Sequence, residues 1–312
     1  MACNLNNIIR EINKDVEGFI RACDDKYQSK VVFAADEICE NLEKSPIVLL
    51  SGPSGSGKTT TALKVSDELK ARGIKTYTVS LDNYFRTVDP KTAPRTKSGD
   101  IDYESPLCID AELLREHFVK LGNFEEIMVP YFSFTAQQRV TSKFFPIHIQ
   151  KNEVVVFEGI HALNDEITDA HTSAYKLYVS ARSDILNENE KVCFKGTWAR
   201  LVRRVVRDRN FRGTKSDLTL SMWANIRRGE KKYISPYKNK ANYLLDSLLP
   251  YELPVFKNYA ADIFSNIPEN IERQSELLEI LPAFDAFPAI DPKLVPPKSL
   301  LREFIGGGTY KY

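Results

Sequence analysis

Apolar residues recur at helical spacing over residues 5 to 44: Ile8, Ile9, Ile12, Val16 and Ile20, then Val31, Val32, Ala35, Ile38 and Leu42, with charges between them. That period predicts two amphipathic helices. From Pro46 the texture changes to short, nearly continuous apolar runs alternating with helical patterns: IVLLS at 47–51, KTYTVSL at 75–81, EVVVFEG at 153–159 and YKLYVSA at 175–181. Short runs of this kind, separated by helices, predict a parallel sheet covered on both faces, an α/β fold.

Between the second and third runs lies an insertion, residues 83–152, with a polar loop (DPKTAPRTKSGDIDYESP), a helix from about Asp110 to Leu121, and aromatic-rich extended stretches, VPYFSF and KFFPIHI. A long loop inside a compact domain is usually functional. The tail is Pro-rich (LPAFDAFPAIDPKLVPPKS) and ends in LLREFIGGGTYKY; it is expected to wrap the domain, not to form another core. The organisation expected is an N-terminal helical extension over 1–45, a main unit over 46–265 and a tail over 266–312.

Composition narrows the classes. A chain of 312 residues with 43% hydrophobic content can bury a sizeable core. A net charge of +1 gives no global pull toward nucleic acid or membrane. Five scattered cysteines, none in a CxxC pair, argue against a disulfide framework or a zinc site. The N-terminus does not read as a signal peptide, and no window approaches the roughly 18 apolar residues of a membrane span. A soluble, cytoplasmic protein is the expectation.

The stretch LLSGPSGSGKTTTALKV carries the chemistry. Gly52, Gly57, Lys58 and Thr59 fit GxxxxGK[ST], with an apolar strand before and a helix-competent run after. Backbone amides of Gly52, Ser54, Gly55, Ser56, Gly57, Lys58, Thr59 and Thr60 can converge on phosphates, helped by the helix N-terminus. Lys58 can reach the β- and γ-phosphates of ATP, and Thr59 can ligate Mg2+. Glu158 ends the third apolar run at the sheet edge where open α/β sheets bind ligands, placed to hold the metal. Asp82 ends the second run at the same edge, placed to take a proton from an attacking hydroxyl or to join the metal site.

Residues 196–213, GTWARLVRRVVRDRNFRG, concentrate arginine: Arg200, Arg203, Arg204 and Arg207 fall at i, i+3, i+4 and i+7. Such a helix could neutralise charge on a transferring phosphoryl group and close as a lid over about 196–215. Nucleic-acid backbone binding, supported by RRGEKK at 227–232, and a plain solvated face are the other readings.

Together, GPSGSGKTT, SLDNYF, DYESP, VPYFSFTAQQR, VVVFEGIHALN and RLVRRVVRDRNFRG resemble the uridine kinase and phosphoribulokinase family of P-loop kinases, over about residues 46–265. SMWANIRRGE and LREFIGG are similar to a bacterial subgroup that often carries a threonyl-tRNA-synthetase-like module upstream. No such module fits the first 45 residues, so a short version is expected. The resemblance implies a P-loop NTPase fold with an inserted acceptor-binding region and an Arg-rich lid. It implies Asp82 as catalytic carboxylate with Lys58 and Arg207, Glu158 near the metal, and Arg203, Arg204, Arg207 and Arg212 on phosphates. Glu104 falls where uridine kinases have an Asp that grips ribose hydroxyls, and Arg139 matches an acceptor-pocket arginine; Tyr84 and Tyr131 join them as candidate acceptor contacts. Where the family reads pyrimidine with a Tyr and a His, this chain has Phe132 and Gln137. Phe keeps a stacking face without the hydroxyl, and Gln still donates and accepts, which leaves another nucleoside or a non-nucleoside alcohol open.

The activity expected is ATP- and Mg2+-dependent phosphoryl transfer to a small-molecule hydroxyl, foremost the 5′-hydroxyl of a nucleoside. The alternatives are a kinase of another alcohol or sugar phosphate, a nucleic-acid-associated ATPase, and an inactive protein that keeps ATP as a structural ligand. No membrane partner is expected, nucleic acid is disfavoured, and a homo-oligomer is open.

Overall fold

Five parallel strands form the centre of the protein in a computed structural model that describes residues 3–96, 99–133, 136–168, 171–265 and 267–311. Lys97 and Ser98 of the polar loop, Phe134 and Thr135 of VPYFSFTAQQR, and Asn266 at the start of the expected tail lie outside the described residues. In chain order the elements are β1 (Cys3–Asn4), α1 (Leu5–Asn41), β2 (Ile47–Ser51), α2 (Lys58–Ala71), β3 (Thr76–Ser80), α3 (Ala111–Gly122), β4 (Ile127–Ser133) and β5 (Gln138–Ile147). Then come β6 (Val154–Glu158), α4 (Asp165–Thr168), β7 (Tyr175–Ser180), β8 (Ile185–Leu186), β9 (Val192–Phe194), α5 (Gly196–Phe211), α6 (Ser216–Gly229), β10 (Tyr243–Asp246), α7 (Glu252–Phe264), α8 (Gln274–Ala283) and α9 (Arg302–Ile305). The main sheet has the order β10-β7-β2-β6-β3.

All four apolar runs of the sequence became strands of this sheet. The fifth, β10, is four residues long and follows a Lys-rich segment, too short to show a period of its own. In β2, β6 and β7 alternate residues point to opposite faces. Val48, Leu50, Val154, Val156, Leu177 and Val179 join a core with α1, α2, α5, α6, α7, α8 and the tail. Ile47, Leu49, Val155 and Phe157 join a second core with α3 and the β4–β5 hairpin. Burial on both faces is what makes these strands read as unbroken apolar runs.

The two helices expected over 5–44 meet at Asp15, whose backbone is extended (φ −162°, ψ 93°). The Asp15 carboxylate accepts from the Gly18 amide at 2.9 Å and so caps the second, longer segment. That segment packs along α2, where Tyr27 shares a 2.7 Å hydrogen bond with Thr61. Ile290, Val295, Leu300, Leu301 and Phe304 of the tail are buried in the same core as the sheet. No helix among the described residues is long and apolar enough to cross a membrane.

Candidate active site

The segment Gly52–Gly57 turns at the C-terminal edge of β2 and delivers Lys58 as the first residue of α2. Gly55 has φ +72°, and a Cβ there would stand 2.5 Å from the Arg200 carbonyl oxygen, so only glycine fits between the loop and α5. The loop is held from outside. Arg200 donates to the Ser54 carbonyl at 3.3 Å, Arg203 to the Gly55 carbonyl at 3.3 Å, Arg204 to the Ser54 hydroxyl at 2.6 Å, and Ser247 to the Ser56 carbonyl at 2.6 Å. The carbonyls of Ser54, Gly55 and Ser56 are thus engaged from α5 and Ser247, while the Ser56 amide closes a turn on the Pro53 carbonyl at 3.2 Å.

Lys58 donates to the Pro53 carbonyl at 3.2 Å. Its ammonium pKa is lowered by burial and raised back by Glu158, Asp82 and Glu303. Asp82 lies in a single 3₁₀ turn, Leu81–Tyr84, begun by the Ser80 hydroxyl, which accepts from the Asp82 amide at 3.3 Å. Burial pushes the Asp82 carboxyl up, while Lys58, Arg212 and Arg207 pull it down. Glu158 is 7% exposed and is pushed up to about 7, mainly by burial, against the pull of Lys58. Glu104 is likewise pushed up to about 7 by burial, with Arg204 and Lys58 opposing and Asp102 and Asp82 adding to it. It rests on Gly229, where a Cβ would lie 2.4 Å from its own Cβ. Thus Lys58, Asp82, Glu104, Glu158, Arg204, Arg207 and Arg212 face one another electrostatically around the loop.

The other expected site residues are engaged differently. Arg203 was expected on phosphates; it is fully buried, with a two-pronged ion pair to Glu252 at 2.6 and 3.1 Å and further bonds to Ser247. A guanidinium with a buried carboxylate partner stays with it, so Arg203 braces the loop from behind. Arg200 does the same with Glu230, at 2.9 and 3.0 Å. The arginine face thus divides: Arg200 and Arg203 are core, whereas Arg204, Arg207 and Arg212 reach the cleft, gathered by Asp208 at 3.3, 2.7 and 3.7 Å.

Tyr84, expected at the acceptor, is fully buried and hydrogen-bonds His117 Nδ1 at 2.7 Å, because the 3₁₀ turn points it into the core beneath the sheet. Phe132 is 6% exposed and packs on Phe85, with ring centroids 5.6 Å apart, so its stacking face is taken. Tyr131, on the opposite side of the strand, lies under the Lys143 ammonium at 3.7 Å. Gln137 is exposed at the hairpin turn with φ +53°. Arg139 binds Asp110 at 2.8 Å and the Tyr84 carbonyl at 3.0 Å, which ties the hairpin to the Asp82 turn.

Two site residues escaped the sequence reading. Glu303 of the tail accepts from the Thr60 amide at 3.1 Å and the Thr60 hydroxyl at 2.5 Å. His161, fully buried, lies against the Glu104 backbone and is pushed down to about 4 by burial, so it is neutral at pH 7. Among the described residues no three His, Cys, Asp or Glu side chains cluster as a metal site. Thr59, Asp82 and Glu158 nevertheless offer an all-oxygen set with two carboxylates, which suits magnesium when phosphates and water complete the shell.

The profile of the Phosphoribulokinase / Uridine kinase family matches residues 47–252, which include the loop, Asp82, Glu104, Glu158 and the arginine helix. The chain belongs to this family. Within the phosphoribulokinase / uridine kinase family it is similar to a uridine kinase of Anoxybacillus flavithermus, 28% identical over 206 residues, which covers 65% of this chain and 87% of that protein. A uridine kinase of Bacillus subtilis is 26% identical over 205 residues, covering 65% and 86%. Among solved structures, a putative fructose transport system kinase from Silicibacter sp. TM1040 overlaps with TM-score 0.47 at 18% identity, covering 64% of this chain and 94% of that one. Family membership carries the coarse activity, ATP-dependent phosphorylation of a small-molecule alcohol, and the fold of a P-loop kinase.

Proposed function

We propose that the protein transfers the γ-phosphoryl group of ATP to a hydroxyl of a small molecule, with a nucleoside as the foremost acceptor. The observation that carries this reading is Asp82, set among Lys58, Arg207 and Arg212 at the mouth of the phosphate loop. The loop amides and Lys58 hold the phosphates. Arg207 and Arg212 offset the charge that builds on the transferring group, while Asp82 orients the acceptor hydroxyl and receives its proton. Magnesium, held by Thr59, Asp82 and Glu158, would supply further neutralisation of the phosphate charge. Glu104, beside Lys58 and Asp82, is the group to accept hydrogen bonds from acceptor hydroxyls. The names of the curated relatives favour uridine.

A sugar or polyol acceptor is the second reading, favoured by Phe132 and Arg139, whose engagement with Phe85, Asp110 and the Tyr84 carbonyl outside the hairpin leaves neither to read a base. The test is ADP release from ATP and magnesium across a panel of nucleosides, sugars, sugar phosphates and other alcohols. Turnover with uridine or another nucleoside supports the first reading. Turnover with sugars or polyols alone supports the second, and a silent panel with ATP bound contradicts both.

A further inference from the structure

The LREFIGG segment, residues 301–307, has no part in the chemistry above, yet it touches the centre of the phosphate site. Thr60 is the third residue of α2, and its amide is one of the donors a helix N-terminus leaves without an intrahelical partner. In a phosphate loop such donors cradle the α- and β-phosphates. Here the Glu303 carboxylate takes that amide at 3.1 Å and the adjoining hydroxyl at 2.5 Å, from a position 243 residues away in the chain. Its charge acts on Lys58, Glu158 and Arg212, all residues of the cleft.

The backbone that carries Glu303 is firmly placed. Leu300, Leu301 and Phe304 are fully buried. The Leu300 side chain lies over Gly57, 2.7 Å from where a Cβ would stand. The Phe304 ring lies 5.2 Å from the Arg203 guanidinium, and Asn210 donates to the Phe304 carbonyl at 3.3 Å. Ser299 shares its hydroxyl with Tyr251 at 2.6 Å and donates to Asp24 at 3.2 Å. A segment fixed this way cannot leave cheaply, whereas a glutamate side chain can change rotamer.

We propose that Glu303 is an intramolecular occupant of the nucleotide site, holding at Thr60 the donors that a phosphate oxygen of ATP would take. ATP then binds by displacing the carboxylate while the segment stays in place, because two anions cannot share one amide and hydroxyl. The tail thereby sets nucleotide affinity, and the inference rests on the kinase reading above. A carboxylate that merely caps α2 would strengthen the loop and aid binding, so the two roles have opposite signs.

The experiment is calorimetric titration of ADP, ATP and inorganic tripolyphosphate into the full chain, comparing wild type, Glu303→Gln, Glu303→Ala and Lys58→Ala, with thermal melts of each. Glu303→Gln keeps an oxygen for Thr60 and removes only the charge, so it serves if Glu303→Ala does not fold. The expected result is about tenfold tighter binding in the Glu303 variants, the size of one displaced charged hydrogen bond. The gain should shrink with added salt, and Lys58→Ala should lose binding. Equal or weaker binding by folded Glu303 variants, with wild type binding and Lys58→Ala not, overturns the inference and leaves the kinase reading intact. No nucleotide binding by wild type or any variant overturns both.

Discussion

Arg203 and Glu252 meet in an ion pair with no solvent contact on either side chain, 2.6 Å apart, directly behind the phosphate loop. Burying two charges costs desolvation, so the pair is better read as fixing geometry than as a source of stability. Removing one partner strands the other. Glu252→Ala should therefore cost about 3–5 kcal/mol, read as a fall in the urea midpoint. A midpoint within error of wild type would show that the pair is not buried as described.

Tyr84 separates packing from acceptor contact. Tyr84→Phe removes the hydroxyl that pairs with His117, leaving a buried nitrogen without its partner, and should cost about 1–3 kcal/mol of stability. kcat/KM for the acceptor should stay near the wild-type value. A large rise in KM with stability unchanged would return Tyr84 to the acceptor site.

Glu104 gives a pH signature. Its carboxyl is pushed up by burial from 4.5 to about 7, so the folded protein keeps a proton that the unfolded chain has released. The stabilising contribution of that proton is complete below 4.5 and is lost as pH rises through about 7. The Tm of wild type, relative to Glu104→Gln, should fall across that window in the absence of ligands. Parallel Tm profiles for the two proteins would contradict a half-buried Glu104 that retains its proton in the folded state.

The phosphate loop was legible because everything it needs is contiguous: a buried strand, small residues, a lysine and a helix start within residues 49–65. The place of Asp82 just after β3 and of Glu158 at the end of β6, at one sheet edge, could be read from where their apolar runs stop. Side-chain direction was not. Tyr84 stands two residues from Asp82, but the 3₁₀ turn points it inward. Arg203 and Arg204 are neighbours in sequence, yet one pairs with Glu252 behind the loop while the other reaches the Ser54 hydroxyl. Helical spacing groups arginines on a face but does not say which find buried carboxylates. The Glu303–Thr60 contact joins distant parts of the chain, and no local pattern announces it.

The most direct measurement is kcat of Asp82→Asn with the best acceptor, alongside its Tm and its affinity for ATP. A loss of about 10²–10⁴-fold in kcat, with Tm and ATP affinity close to wild type, is expected if Asp82 handles the acceptor proton. Near-normal kcat in a folded, ATP-binding Asp82→Asn would contradict phosphoryl transfer through this carboxylate.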